Sequence, residues 1–199
     1  MSNPDAIGVL GIVGSPRRGG NTDTLVGELL RGAEAGGARV ERVFLSDLNL
    51  NPCLGCWTCT RGGKCPQRDD MELLIDKMTR MSTWVLGTPV YFYAATAQLK
   101  TFLDRGLCVP KDTYANAKVF SVVTLGDTTP EGASVAVELI ERTMKFHGAR
   151  TIGNLIAHNV LDTGDVREKP ALLRAAFEQG TALALNESAA KKLDPSAST

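Results

Sequence analysis

Four cysteines stand close together in CLGCWTCTRGGKC, at positions 53, 56, 59 and 65, a C-x2-C-x2-C-x5-C spacing. Three thiols so near in sequence converge only where the backbone wraps around a common centre, and Gly55, Gly62 and Gly63 make such wrapping feasible. The chemistry this spacing favours is ligation of an iron-sulfur cluster by Cys53, Cys56, Cys59 and Cys65. A ferredoxin-type run shares the C-x2-C-x2-C start and the proline after the last cysteine, here Pro66, but closes with a gap of three residues where this chain has five. Zinc usually takes its ligands from two separated pairs, so even spacing suits it less. Free thiols packed under a loop, or a disulfide pair, are the plainer alternatives. Cys108 lies outside the run and is expected to pack as a small apolar side chain.

A second stretch, GSPRRGGNT at 14–22, lies between an apolar run and a segment with helical periodicity. A loop from a strand end into a helix N-terminus exposes unpaired backbone N–H groups, to which the helix dipole adds partial positive charge. That is an anion site. Ser15, Asn21, Thr22 and Thr24 have side chains that can donate to phosphate oxygens, Arg17 supplies charge, and Gly19 and Gly20 let the backbone curl closely. No Gly-Lys-Ser/Thr ending is present, which excludes a nucleoside-triphosphate P-loop, and no G-x-G-x-x-G dinucleotide fingerprint occurs. The alternative is an ordinary strand-to-helix turn capped by Asn21 or Thr22.

A third stretch, GTPVYFYAATAQLKTFLDR at 87–105, leaves a strand through Pro89 and sets Tyr91, Phe92 and Tyr93 in succession. Three consecutive aromatics cannot all point into one core. At a sheet's carboxyl edge, their faces and the freed backbone N–H groups suit a flat conjugated ring with polar edges. A proline-terminated strand with surface aromatics is the plainer reading.

Positioning these stretches requires a particular scaffold. Apolar, β-branched runs at 7–13, 39–45, 83–87, 118–124 and 151–157 alternate with helical periodicity at 22–35, 69–80, 95–107, 133–147 and 168–185. Strict alternation predicts an α/β fold, a flavodoxin-like doubly wound five-stranded parallel sheet of order 2-1-3-4-5 with helices on both faces. Ligands of such sheets bind above the carboxyl ends of the strands. The helix ending near 147 carries Lys145 and His147 in its last turn and Gly148 as its cap. A single domain is expected over 1–186, with a frayed polar tail at 187–199. Neither His147 nor His158 stands within motif spacing of a cysteine, and the pair Asp69-Asp70 reads as a helix cap.

Composition narrows the partners. Among 199 residues, 22 Lys and Arg balance 22 Asp and Glu, so no basic field exists for nucleic acid or an anionic membrane surface. A small molecule is the expected partner. No apolar stretch approaches a membrane span and the first residues lack a signal peptide's basic region, which with crowded cysteines leads to a cytoplasmic expectation.

With these stretches placed, the chain resembles the flavodoxin-like NAD(P)H-dependent FMN reductases over most of 7–157. GSPRRGGNT is similar to that family's FMN phosphate loop and TPVYFY to its isoalloxazine loop. The resemblance implies that Ser15, Arg17, Asn21 and Thr22 hold the phosphate, and that Pro89, Val90, Tyr91 and Phe92 line the ring. It also implies contacts from Thr124, Leu125 and Gly126 in TLGDTTPEGA, a less glycine-rich third loop. The cysteine run and DDM at 69–71 resemble the iron-sulfur flavoprotein branch, in which Cys53, Cys56, Cys59 and Cys65 would ligate a [4Fe-4S] cluster exchanging electrons with FMN.

The implied activity is reduction of FMN by NAD(P)H as co-substrate, with electrons passed to a quinone, flavin or other small-molecule acceptor. No catalytic side chain is expected, because FMN carries the chemistry. An electron-transfer module fed by a protein donor such as ferredoxin is the first alternative, and a non-catalytic thiol redox sensor the second. A homodimer or homotetramer is implied as well. FAD is disfavoured, since no pyrophosphate fingerprint is present.

Overall fold

A computed structural model describes residues 7–192. The runs richest in apolar residues become the middle of the sheet, where both faces are covered. β1 (Gly8–Val13) is buried throughout, and β3 (Thr83–Pro89) and β4 (Lys118–Thr124) are buried at every position but one end. β2 (Arg39–Phe44) and β5 (Arg150–Ala157) carry exposed residues and take the edges. All neighbours pair in parallel, in the order β2-β1-β3-β4-β5. This is the expected order, with its switch point between β1 and β3.

Alternate residues along each strand face opposite layers. Val9, Val13, Val85 and Val122 pack against α1 (Asn21–Ala35) and α6 (Pro170–Lys192). Leu10, Ile12, Trp84, Leu86 and Val119 pack on the other side, against α2 (Met71–Thr79), α3 (Ala97–Arg105), α4 (Lys111–Ala115) and α5 (Ser134–His147). Helices α1 and α6 approach closely because a Cβ on Gly32 would lie 2.0 Å from the Phe177 carbonyl oxygen. Gly148, at φ 93°, caps α5 as expected.

Some boundaries differ from the periodicity. α3 starts late because Thr96 accepts a bond from the Leu99 amide at 3.3 Å as its N-cap, and it tightens into a 3-10 turn over Gly106–Cys108. α4 was not expected, being a turn and a half after Pro110 that is too short to show a period. Of the residues expected to fray, 187–192 continue the backbone of α6, and 193–199 lie outside the described residues. His147 stacks on Tyr114 with ring centroids 4.4 Å apart, and burial pushes its pKa down, consistent with a structural role. Among the described residues, no helix is long and apolar enough to cross a membrane.

Candidate cofactor site and thiol cavity

Three strand-end loops meet above the switch point. With the loop after β5 as a fourth wall, they enclose a cavity of about 190 Å³ lined by Ser15, Arg17, Gly20, Asn21, Thr22, Pro89, Val90, Tyr91, Thr124, Leu125, Gly126, Val160, Leu161 and Thr163. The residues expected to contact FMN are therefore gathered there, with Phe92 as the exception. Its side chain is 97% exposed and lies outside the cavity. Thr24, a further candidate donor, is also outside it.

The loop after β1 is held by its own hydrogen bonds. Gly19, at φ 65°, directs its N–H onto Asp23 Oδ2 at 2.7 Å, and Asp23 is fixed in turn by Arg42 at 2.9 Å. The N-cap of α1 is Gly20, and no side chain caps the helix. The alternative of a turn capped by Asn21 or Thr22 does not hold, so the first-turn N–H groups remain available to an anion. Ser15 accepts from the Arg17 amide at 3.2 Å and keeps its hydroxyl hydrogen. Arg17 is exposed at the cavity mouth, so its charge reaches an anion without a buried penalty.

Asn21 differs from expectation. Its Nδ2 donates to the Asp162 carbonyl at 2.8 Å, and its Oδ1 accepts from Gly164 and Val166 amides at 3.1 and 3.3 Å. The side chain anchors a distant loop, leaving the backbone N–H and the second Nδ2 hydrogen as what Asn21 can offer an anion. That loop supplies Val160, Leu161 and Thr163, residues the sequence reading did not include. The only local signal was LDTGD at 161–165, a turn-forming composition with no chemistry of its own.

The aromatic segment is a tight turn. Tyr91 and Ala94 exchange backbone hydrogen bonds at 2.9 and 3.1 Å, while Phe92 and Tyr93 between them take φ of 46° and 68°. Two bulky residues in the left-handed region store backbone strain, a feature that clusters at ligand sites. Tyr91 faces the cavity; Tyr93 is 72% exposed.

The cysteine run occupies the connection between β2 and α2. Asn49 and Asp70 close its base through two bonds, Asn49 N to Asp70 Oδ2 at 2.7 Å and Asp70 N to Asn49 O at 3.1 Å. Asn51 donates from its amide to Asp69 Oδ2 at 3.0 Å. Asp69 also receives both terminal nitrogens of Arg105, at 2.5 and 3.0 Å, and both side chains are almost wholly buried. The helix-cap reading of Asp69 was thus incomplete: it accepts from Met71 N at 3.2 Å, but its main partner is a buried guanidinium on α3. That guanidinium holds the Asp69 carboxyl down at about 2, with amides of Asn51 and Met71 adding to the effect.

Cys53, Cys56, Cys59 and Cys65 line one cavity between this loop and α3, and Cys108 joins them there. All five are free thiols, which sets aside a disulfide pair in this structure. Cys108 packs against the core as expected, yet it also donates to the Arg105 carbonyl at 3.0 Å, and burial pushes its thiol up to about 11. The hydroxyl of Thr58 lowers the Cys56 pKa. Among the described residues, no three His, Cys, Asp or Glu side chains gather around a single ion position. A four-iron cluster takes one thiolate per iron, so its ligands surround a body and need not meet at one point. Soft sulfur donors on one cavity wall, with Gly55 and Gly62 at φ of 61° and 86° and Trp57 at 58°, fit such a group in donor chemistry.

A phosphate-ready turn beside a strained aromatic turn, at the switch point of a 2-1-3-4-5 sheet, defines a flavodoxin-like nucleotide-binding protein. The family described as NADPH-dependent FMN reductase matches residues 7–161. An iron-sulfur flavoprotein of Methanocaldococcus jannaschii is 36% identical over 146 residues, covering 73% of this chain and 76% of that protein. Another iron-sulfur flavoprotein, from Archaeoglobus fulgidus, is 32% identical over 189 residues, covering 94% and 83%. Among solved structures, an NAD(P)H:quinone oxidoreductase from Methanothermobacter marburgensis shares the fold at a TM-score of 0.72 and 18% identity, covering 89% of this chain and 97% of that one. The chain belongs to the NADPH-dependent FMN reductase family, in its iron-sulfur flavoprotein branch. By that membership it is an NAD(P)H-dependent FMN oxidoreductase.

Proposed function

We propose that FMN occupies the strand-end cavity, that NAD(P)H supplies its electrons, and that a quinone, free flavin or other small acceptor removes them. In this reading Cys53, Cys56, Cys59 and Cys65 hold a [4Fe-4S] cluster on the outbound route. The observation that carries it is the gathering of residues from four separate loops around one cavity at the switch point.

FMN, when bound, supplies hydride acceptance and one-electron release. The residues supply position. The first N–H groups of α1 and the Ser15 hydroxyl face the phosphate, and Arg17 adds charge at the mouth. Pro89, Val90, Tyr91, Leu125 and Gly126 would line the ring. Val160, buried on the loop that Asn21 anchors, would exclude water from that side. No cavity-lining residue is shared with the thiol cavity, so the two centres are separate stations. Exposed Leu54, Trp57 and Phe146 support assembly into a homodimer or homotetramer, where a neighbour's thiol loop can approach the flavin.

The second reading is an electron-transfer module fed by a protein such as ferredoxin. Exposure of Cys53, Cys56 and Trp57 on the loop favours it, because a protein donor can reach them. Stopped-flow mixing with NADH and NADPH separates the two: rapid flavin bleaching marks the reductase, and flavin left oxidised by both marks the carrier. A thiol sensor would respond to peroxide without consuming either nucleotide. Anaerobic protein should contain iron and sulfide, and Cys56→Ala should remove both while FMN stays bound. Anaerobic protein with FMN and no iron would leave a simple flavin reductase.

A further inference from the structure

We infer that Arg105 is a positioning residue of the thiol centre, turning a buried positive charge toward Cys65 and thereby making the group held by Cys53, Cys56, Cys59 and Cys65 easier to reduce. The inference rests on the cluster reading above.

The geometry is that of a clamp. From the end of α3, Nη1 of Arg105 donates to the Asn51 carbonyl at 2.8 Å and to Asp69 at 2.5 Å. Nη2 donates to the other Asp69 oxygen at 3.0 Å and to Cys65 Sγ at 3.7 Å. One side chain thus ties both ends of the cysteine connection, at 51 and 69, and its last cysteine to the same helix. Arg105 is 2% exposed, and its Nε is buried with no partner. A guanidinium has five N–H donors, and a buried one left unpaired is uncommon enough to need a reason. Arg105 lines the same wall as the four cysteines, so this buried guanidinium stands beside an electron-rich group that Nη2 reaches at Cys65.

Charge completes the argument. Asp69 neutralises Arg105, so the pair carries no net charge, but it is a dipole whose positive end touches Cys65. A thiolate-ligated centre gains negative charge on reduction, and the positive end of a buried pair held beside it stabilises the reduced state. Removing the guanidinium leaves the Asp69 carboxylate facing the centre and disfavours reduction. Removing the carboxylate leaves an uncompensated cation and favours it. A role confined to holding the loop predicts no such reversal of sign.

The test uses the anaerobically purified, FMN-loaded full chain, with iron and sulfide assayed and the cluster potential followed by electron paramagnetic resonance during a reductive titration. Arg105→Gln should make one-electron reduction at least tenfold less favourable, about 59 mV. Asp69→Asn should move the equilibrium the opposite way, and Arg105→Lys should stay within threefold of wild type. Unchanged potentials in the first two variants, or shifts of the same sign, would overturn the inference while leaving the cluster standing. If Arg105→Gln holds no iron, Arg105→Lys decides: iron retained at the wild-type potential supports a requirement for charge, and iron lost overturns it. Wild-type protein without iron would overturn the cluster reading and this role together.

Discussion

The hydroxyl oxygens of Thr22 and Thr124 lie 2.7 Å apart in the interior, joining the first turn of α1 to the end of β4. The two side chains come from positions about a hundred residues apart and face the same cavity. Between them they hold two hydroxyl hydrogens, and their mutual bond occupies one. The other is free to be donated into the cavity.

Removing either hydroxyl should therefore weaken FMN binding through a common group. Thr22→Val and Thr124→Val are each expected to raise the FMN dissociation constant about tenfold, or ~1.4 kcal/mol. The double variant should fall well short of a hundredfold, because each hydroxyl orients the other. Fluorescence titration of stripped protein measures all four constants, and strict additivity would contradict the shared arrangement.

Asn21 makes three hydrogen bonds to the loop after β5, at 2.8, 3.1 and 3.3 Å. At ~1 kcal/mol each, Asn21→Ala should destabilise the FMN-free protein by about 3 kcal/mol in urea unfolding. Loss of flavin affinity with unchanged stability would instead place its amide on the phosphate.

Acid should uncouple Asp69 from Arg105. The folded-state pKa of about 2 lies below the ordinary carboxylate value of ~3.9, so the folded form favours the ionised acid. The stability this contributes, about 2–3 kcal/mol, is present above pH 4 and is lost as pH falls through about 2. The stability gap between wild type and Asp69→Asn should accordingly be largest near neutrality and narrow below pH 4. A gap that stays constant from pH 7 to pH 2 would refute the coupling.

Tyr93 holds φ of 68° in a two-residue turn that glycine adopts without strain. Tyr93→Gly should raise thermal stability by about 1 kcal/mol, within the range such strain stores. If the strain serves the cofactor site, the same variant should slow NAD(P)H oxidation. Faster or unchanged turnover would assign the strained turn to something other than the flavin.

The scaffold was legible because its signals are local. Buried parallel strands are near-continuous apolar runs, as Val9–Val13 is and Val119–Val123 is but for Ser121, and helices must show a period, so their alternation marks a parallel α/β sheet in the sequence. α4 was lost for the same reason, since five residues cannot display a period. The glycines and hydroxyls of GSPRRGGNT mark an anion turn because backbone N–H groups at a helix start need no distant partner.

Side-chain assignments were less legible. A chemical type declares what Asn21 can donate, but only the folded chain decides that its amide goes to Asp162, Gly164 and Val166. Val160, Leu161 and Thr163 enter the cavity through that same link, which has no expression in nearby sequence. Phe92 shows the converse: aromatic identity suggested a ring wall, and the turn geometry carries it into solvent.

The sequence by itself determined the order of strands, the strand-end loops and the crowding of four thiols, all consequences of composition and spacing over a few neighbouring residues. The tertiary structure alone decided which polar groups meet. Arg105 carries no motif in the sequence, and Asp69 reads there as a cap. Burial together removes water as the competing partner, so each charge must find the other across 36 positions, and the cysteine loop is fixed where they meet.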